Sequence, residues 1–152
     1  MKHALRSLIL LVIALHLVGC GPSAEEKEKR DKIKAQMTAP KDPLQNKGIG
    51  PVKSLTLGPI DEVMAREGKE LFESLCTACH KIDKKFIGPS PKDILDRRSP
   101  EWIMNMILNP QEMVEKDPIA KQLLIEANGA PMANQSLTEE QARKILEYFR
   151  TL

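Results

Sequence analysis

The residues of this chain that can do chemistry are gathered in one stretch, Cys76-Thr77-Ala78-Cys79-His80. Two thiols three positions apart, followed at once by an imidazole, fit the C-x-x-C-H pattern of covalent haem attachment. At this spacing the thiols can add to the two vinyl groups of one porphyrin, and His80 then supplies a nitrogen to the iron. Three other readings compete. A structural zinc site takes four ligands, and once an export signal is removed the chain retains only Cys76, Cys79, His80 and a terminal Cys20. A thioredoxin-like redox pair expects a βαβ setting, and no strand pattern surrounds the motif. A disulfide between cysteines three apart is sterically poor and leaves the histidine idle.

The export signal occupies residues 1–19. Lys2 and Arg6 precede an apolar run from Leu8 to Val18 that ends at Gly19-Cys20. A basic start, a short apolar segment and a small residue at the cut define a secretory signal. The run is shorter than the roughly 20 apolar residues that span a bilayer. Its ending, Leu17-Val18-Gly19-Cys20, resembles a bacterial lipobox. That resemblance implies a diacylglycerol thioether on Cys20, cleavage before it and acylation of the new amino terminus. Several acyl chains together give stable anchoring. Gly21 stands where an Asp would resemble an inner-membrane retention signal, so the expectation is a periplasmic-side anchor, with the outer membrane favoured. Maturation removes Lys2 and Arg6, which takes the basic count from 23 to 21 against 21 acids. The mature chain is formally neutral, and no basic patch is interleaved with aromatics, which excludes nucleic acid as a partner. His3 and His16 leave as well, so His80 becomes the sole histidine.

The elements that must position the motif lie after residue 60. All five aromatics (Phe72, Phe86, Trp102, Tyr148 and Phe149) follow residue 70. Residues 20–59 read instead as a lipidated cysteine and flexible linker. Glu25 to Lys34 is a mixed-charge run, and seven Pro and Gly residues follow between Pro40 and Pro59. Such composition buries too little apolar surface to offset ordering. As a coil, a leash of this length spans about 35 Å r.m.s.. Leu55 and Leu57 leave open a strap packed on the domain. From 60 to 152 the pattern is helical. Met64, Gly68, Leu71, Phe72 and Leu75 share one helix face behind Asp61 as N-cap. Ser99-Pro100 and Asp117-Pro118 are caps followed by proline at the first helical position. The first of these helices stops near Asn109-Pro110 and the second at Asn128-Gly129. Thr138 and Gln141 fit a capping box, ahead of Ala142, Ile145, Leu146 and Phe149 on one face.

With the motif and these helices in place, residues 60–152 resemble a class I monohaem cytochrome c. The resemblance implies an all-α fold: a small helical bundle wrapped around one covalent haem c held by Cys76, Cys79 and His80. It implies that Gly68 admits a crossing carboxy-terminal helix, with Tyr148 or Phe149 packed beside Phe72. It implies that the carbonyl of Pro89, after Gly88, accepts a bond from His80, which fixes the ring. Pro91 departs from the leucine that the family often carries. The sixth ligand then falls to methionine, since no second histidine survives maturation. Met132, in Gly129-Ala130-Pro131-Met132-Ala133-Asn134, lies in a loop long enough to cross the distal face, as the family's distal methionine does. Met104, Met106 and Met113 are the other candidates, and Met37 and Met64 are poorly placed.

One haem with both axial positions filled leaves no open site for substrate. The expected function is therefore a membrane-tethered single-electron carrier, a monomer and not an enzyme. Its expected redox partners are a quinol-oxidising complex and a terminal oxidase or periplasmic reductase. Two alternatives remain: a haem-based sensor of NO or CO, and a fixed haem subunit of a larger respiratory complex. From Lys81 to Arg98 six basic and three acidic residues give a local +3, whereas 61–75 and 101–152 each sum to −3. This basic segment is expected to rim the haem edge and to dock an acidic partner.

Overall fold

The computed structural model describes Ser23, residues 25–27 and residues 42–152. The signal peptide 1–19 and the lipidation residue Cys20 lie outside the described residues. Glu25, Glu26 and Lys27 form a helical turn, with the Ser23 Oγ accepting from the Glu26 N–H at 3.2 Å. Among the described residues no helix is long and apolar enough to cross a membrane.

Residues 42–152 form five α-helices, with no strand among the described residues: α1 (Glu62–Leu75), α2 (Pro100–Leu108), α3 (Pro110–Lys116), α4 (Pro118–Glu126) and α5 (Glu139–Phe149). Their starts follow from local chemistry. The Asp61 carboxylate accepts from the Val63 and Met64 amides at 2.9 and 3.0 Å. Ser99 accepts from the Trp102 amide at 3.1 Å, and Asp117 from Ala120 at 2.8 Å. Each bond satisfies a donor that the first turn leaves without a partner. Thr138 and Gln141 close the reciprocal capping box. Helix α4 ends where Asn128 and Gly129 turn left-handed, at φ 54° and 79°. The Gly129 amide there donates to the Leu124 carbonyl at 2.9 Å.

Helix α3 has no counterpart in the sequence reading, which takes Pro110 only as a stop. Asn109 ends α2 and is also the N-cap residue of α3, with Pro110 at its first position. A proline that cannot continue one helix is preorganised to begin another.

Helices α1 and α5 form the principal pair. They cross at Gly68, where a Cβ would overlap the Lys144 carbonyl oxygen and lie 2.9 Å from the Ile145 nitrogen. Past the crossing, the Phe72 ring lies 5.8 Å from Tyr148 and 5.6 Å, edge-on, from Phe149. Aromatic pairs favour such tilted and edge-to-face geometries. Ile145 and Leu146 of α5 and Trp102, Ile103 and Ile107 of α2 are buried in one core.

The linker expected to run to residue 59 is in fact ordered over its last part. Residues 46–58 form a strap hydrogen-bonded to the helices. Asn105, 1% exposed, donates to the carbonyls of Lys47 and Val52, both at 2.8 Å, and accepts from the Val52 amide at 3.0 Å. The strap thus uses an asparagine side chain in place of a strand partner. Leu55 donates to the Glu101 carboxylate at 3.1 Å, and Ile49 to the Met113 sulfur at 3.0 Å. At its far end the Glu147 carboxylate, fully buried, accepts from the Asp61 amide at 2.8 Å and from the guanidiniums of Arg143 and Arg150. Arg150 also donates to the Gly58 carbonyl at 2.7 Å. A boundary at residue 60 therefore cuts through this packed unit.

Candidate functional site

Helix α1 delivers the motif. Cys76 caps its C-terminus, and the next turn carries Cys79 and His80, whose amides both donate to the Cys76 carbonyl, at 3.1 and 2.9 Å. Both thiols are free. Burial, and then the neighbouring Cys79, push the Cys76 thiol up to about 11. Redox-active pairs lower a thiol's pKa instead, so this environment disfavours the thioredoxin-like reading.

His80 is fixed from two directions. Its Nδ1 lies 2.8 Å from the Pro89 carbonyl oxygen, the bond that the family resemblance implies. With that carbonyl as acceptor, Nδ1 carries the proton and Nε2 is left with its lone pair. Gly88 packs against the ring: a Cβ there would lie 2.7 Å from Nδ1. Its amide donates to the Cys79 carbonyl at 2.9 Å, which closes the loop onto the motif. Pro91, where the family often has leucine, is buried in the wall of the same site.

Cys76, Cys79 and His80 line an apolar cleft that Met132 also lines. Its cavity volume is about 190 Å³, continuous with open solvent. Phe72, Ile103, Leu123 and Ile145 supply apolar wall from four different helices. A large flat apolar group carrying a metal fits such walls.

The structure also sorts the methionines. Met113 is fully buried with its sulfur accepting from the strap, and Met104 is 3% exposed in the core. Neither lines the cleft, whereas Met106 and Met132 both do. Met106 sits on α2, among buried core residues, and Met132 on the loop 127–138 between α4 and α5.

Sequence reasoning passed over Arg98. It lines the cleft, its guanidinium carbon lies 5.3 Å from the Trp102 ring centroid, and its Nε is buried without a hydrogen-bond partner. Among the described residues it is the one such buried side-chain nitrogen or oxygen. An orphaned donor in an otherwise apolar cleft suits a bound group that carries anionic substituents, as haem does. No local pattern distinguishes Arg98 from its neighbour Arg97. Only the fold reveals that Arg97 is exposed while Arg98 is partly buried.

A helical bundle whose C-x-x-C-H turn opens into an apolar cleft defines a small haem-binding protein of the c type. The chain belongs to the cytochrome c family, whose sequence profile matches residues 65–152. Cytochrome c from Rhodothermus marinus is similar at 50% identity and a TM-score of 0.65, over 67% of this chain and 88% of that one. An engineered form of the Rhodothermus marinus protein, solved bound to a carbene intermediate, matches over the same shares at 50% identity and a TM-score of 0.62. The cytochrome c domain of the pp3183 protein from Pseudomonas putida matches at 26% identity and a TM-score of 0.51, over 55% of this chain and 85% of that domain. No curated protein matches. Membership brings one covalent haem c and the role of a haem-based electron carrier, in a family whose domains are typically extracytoplasmic.

Proposed function

We propose that the chain carries single electrons at a membrane surface, with the haem bonded to Cys76 and Cys79, His80 as proximal ligand and Met132 as distal ligand. The observation that carries the reading is the bond from His80 Nδ1 to the Pro89 carbonyl, 2.8 Å long, in a cleft that Met132 also lines. The bound haem supplies a one-electron couple. Cys76 and Cys79 would hold the group through thioethers, each thiol S–H adding across one vinyl group with no oxidant needed. The Pro89 carbonyl keeps Nε2 available and raises its basicity. Gly88 leaves the imidazole room to stand against the loop. Met132 lines the cleft from the loop between α4 and α5, whereas Met106 lies on helix α2, and a methionine sulfur together with His80 would raise the potential.

Anchoring follows from the lipobox: Cys20 acylated on the periplasmic side, with the outer membrane favoured. Held there, the domain meets a quinol-oxidising complex and a terminal oxidase or periplasmic reductase at high effective concentration. The basic segment supports docking with an acidic partner. Lys84 and Lys85 are exposed beside Phe86, 53% exposed, and Lys81 lies 5.2 Å from the Phe86 ring centroid. Arg98 turns to the cleft and Arg97 is held by its own loop, so the rim falls to the four lysines Lys81, Lys84, Lys85 and Lys92.

The test is Met132→Ala beside Met106→Ala. Met132→Ala loses the red-region sulfur–iron charge-transfer band of the ferric protein and lowers the potential, whereas Met106→Ala keeps the band. An unchanged ferric spectrum in Met132→Ala refutes the ligand assignment. Cys20→Ala releases the protein from membranes if the anchor is right.

A further inference from the structure

The loop 81–92 that follows the motif is fastened to it at several points. The Gly88 amide donates to the Cys79 carbonyl, and the Pro89 carbonyl holds His80. The Lys92 amide donates to the Ile82 carbonyl at 3.2 Å, and the Lys81 ammonium reaches back to the Thr77 carbonyl at 2.9 Å. This loop forms one wall of the cleft, through Ile87, Gly88 and Pro89. The end of α4 forms another, through Leu123, Leu124 and Ala127. Among the described residues one hydrogen bond joins these two walls. The exposed Lys85 ammonium donates to the Glu126 carbonyl at 2.7 Å, across 41 positions of the chain.

Helix α4 leaves that carbonyl for a side chain. In its last turn the carbonyls of Leu123, Leu124 and Ile125 accept from the amides of Ala127, Gly129 and Asn128, at 2.9, 2.9 and 3.0 Å. The Ala130 amide turns instead to the Ala127 carbonyl at 3.1 Å, and no backbone amide among the described residues reaches Glu126. Lys85 satisfies this leftover acceptor, and its charge stands at the negative end of the helix dipole. The loop 127–138 departs from the same point and carries Met132. Beyond Ala130 its bonds are local. The Gln135 side chain donates to the Ala133 carbonyl at 3.5 Å, the Ser136 amide to the Asn134 side chain at 2.7 Å, and the Thr138 amide to the Gln141 side chain at 2.9 Å. Its placement therefore depends on its two ends: the capping box of α5, and the end of α4 that Lys85 holds.

We propose, on the reading that His80 and Met132 hold the haem iron, that Lys85 is a positioning residue for the distal ligand. Its bond to the Glu126 carbonyl clasps the loop that fixes His80 to the root of the loop that carries Met132, and so keeps outside ligands from the iron. A ligand from solvent has to displace Met132, and it binds only the fraction of molecules whose distal loop has moved away. Its apparent affinity scales with that fraction. Removing a bond made only in the closed arrangement raises the open fraction by the worth of that bond. A net hydrogen bond is worth about fivefold in such an equilibrium. An ammonium has three N–H donors, so holding the clasp leaves Lys85 a donor for an acidic partner.

The experiment uses the exported, haem-loaded protein with imidazole as the outside ligand. It begins with the covalent haem content and the ferric sulfur–iron charge-transfer band of the wild type. Absence of either overturns the reading of the site, and the clasp with it. Lys85→Ala is expected to load haem and to bind imidazole about fivefold more tightly than the wild type. Lys85→Gln, shorter and neutral, carries the comparison if the alanine variant does not load haem. Hydrogen exchange supplies a second readout: the Gly129 and Ala130 amides exchange faster in these variants, while those of α5 keep their rates. Lys85→Arg keeps a charged donor and is expected to stay near the wild type in both measurements. Lys121→Ala removes an exposed charge from the same helix without touching the clasp, and it leaves both in place. The proposal is overturned if the neutral Lys85 variants bind imidazole as the wild type does, or if Lys121→Ala reproduces the gain.

Discussion

Gly68→Ala tests whether close approach of two backbones holds the fold together. The added methyl would overlap the Lys144 carbonyl oxygen and lie 2.9 Å from the Ile145 nitrogen. Carbon and oxygen atoms in weak contact ordinarily stand about 3.3–3.6 Å apart, so α1 and α5 must part by about 1 Å or more. The neighbour is backbone and cannot rotate away. Parting also loosens the Phe72 contacts with Tyr148 and Phe149, and the Lys144 ammonium's ion pair with Glu67 at 3.0 Å. Overpacking costs about 1–3 kcal/mol or more, while replacing a mid-helix glycine by alanine returns about 1 kcal/mol of helix propensity. The net expectation is a loss of about 2 kcal/mol, or a Tm lower by about 8 °C for a domain of this size. Thermal unfolding followed by circular dichroism measures it. Gly58→Ala, whose methyl would meet nothing within 4 Å, is the control and is expected to be neutral. An unchanged or raised Tm for Gly68→Ala would show that propensity outweighs the steric argument.

Asn105→Ala leaves the Lys47 and Val52 carbonyls and the Val52 amide without partners; it should cost about 2–3 kcal/mol and speed hydrogen exchange at Val52 before exchange in α5. Glu147 offers a pH test. Burial pushes its carboxyl up, and the bonds from the Asp61 amide, Arg143 and Arg150 more than reverse this, so it rests below the ordinary value. Its stabilisation is thus present above the unfolded glutamate value of about 4.3 and lost as pH falls through the lower folded value. Glu147→Gln, which strands two guanidiniums, should lose about 3 kcal/mol at pH 7, and its deficit against the wild type should shrink as pH falls below about 4. Urea titrations at several pH values read this out, and a constant deficit contradicts the ion-pair account. Reduction by an acidic redox partner should slow as ionic strength rises, and charge reversal at Lys84 and Lys85 should remove most of that dependence.

The sequence by itself determined the chemistry and most helix starts. Two thiols and an imidazole at fixed local spacing need no tertiary context to imply haem attachment. The N-caps Asp61, Ser99, Asp117 and Thr138 act within three residues of themselves, so their bonds are written in the local order. Helix α3 escaped because one proline both ends and begins a helix, and a local reading assigns it one role. The strap, left open by Leu55 and Leu57, could not be decided locally for the opposite reason. Its composition is that of a linker, and its order comes from Asn105, Glu101 and Glu147, residues 46 to 86 positions away. Likewise Arg97 and Arg98 are adjacent and alike in type, yet one is held by its own loop and the other lies over Trp102 with an orphaned nitrogen. Local spacing sets which groups a chain can offer, but only long-range packing settles which of them are desolvated and left in want of a partner.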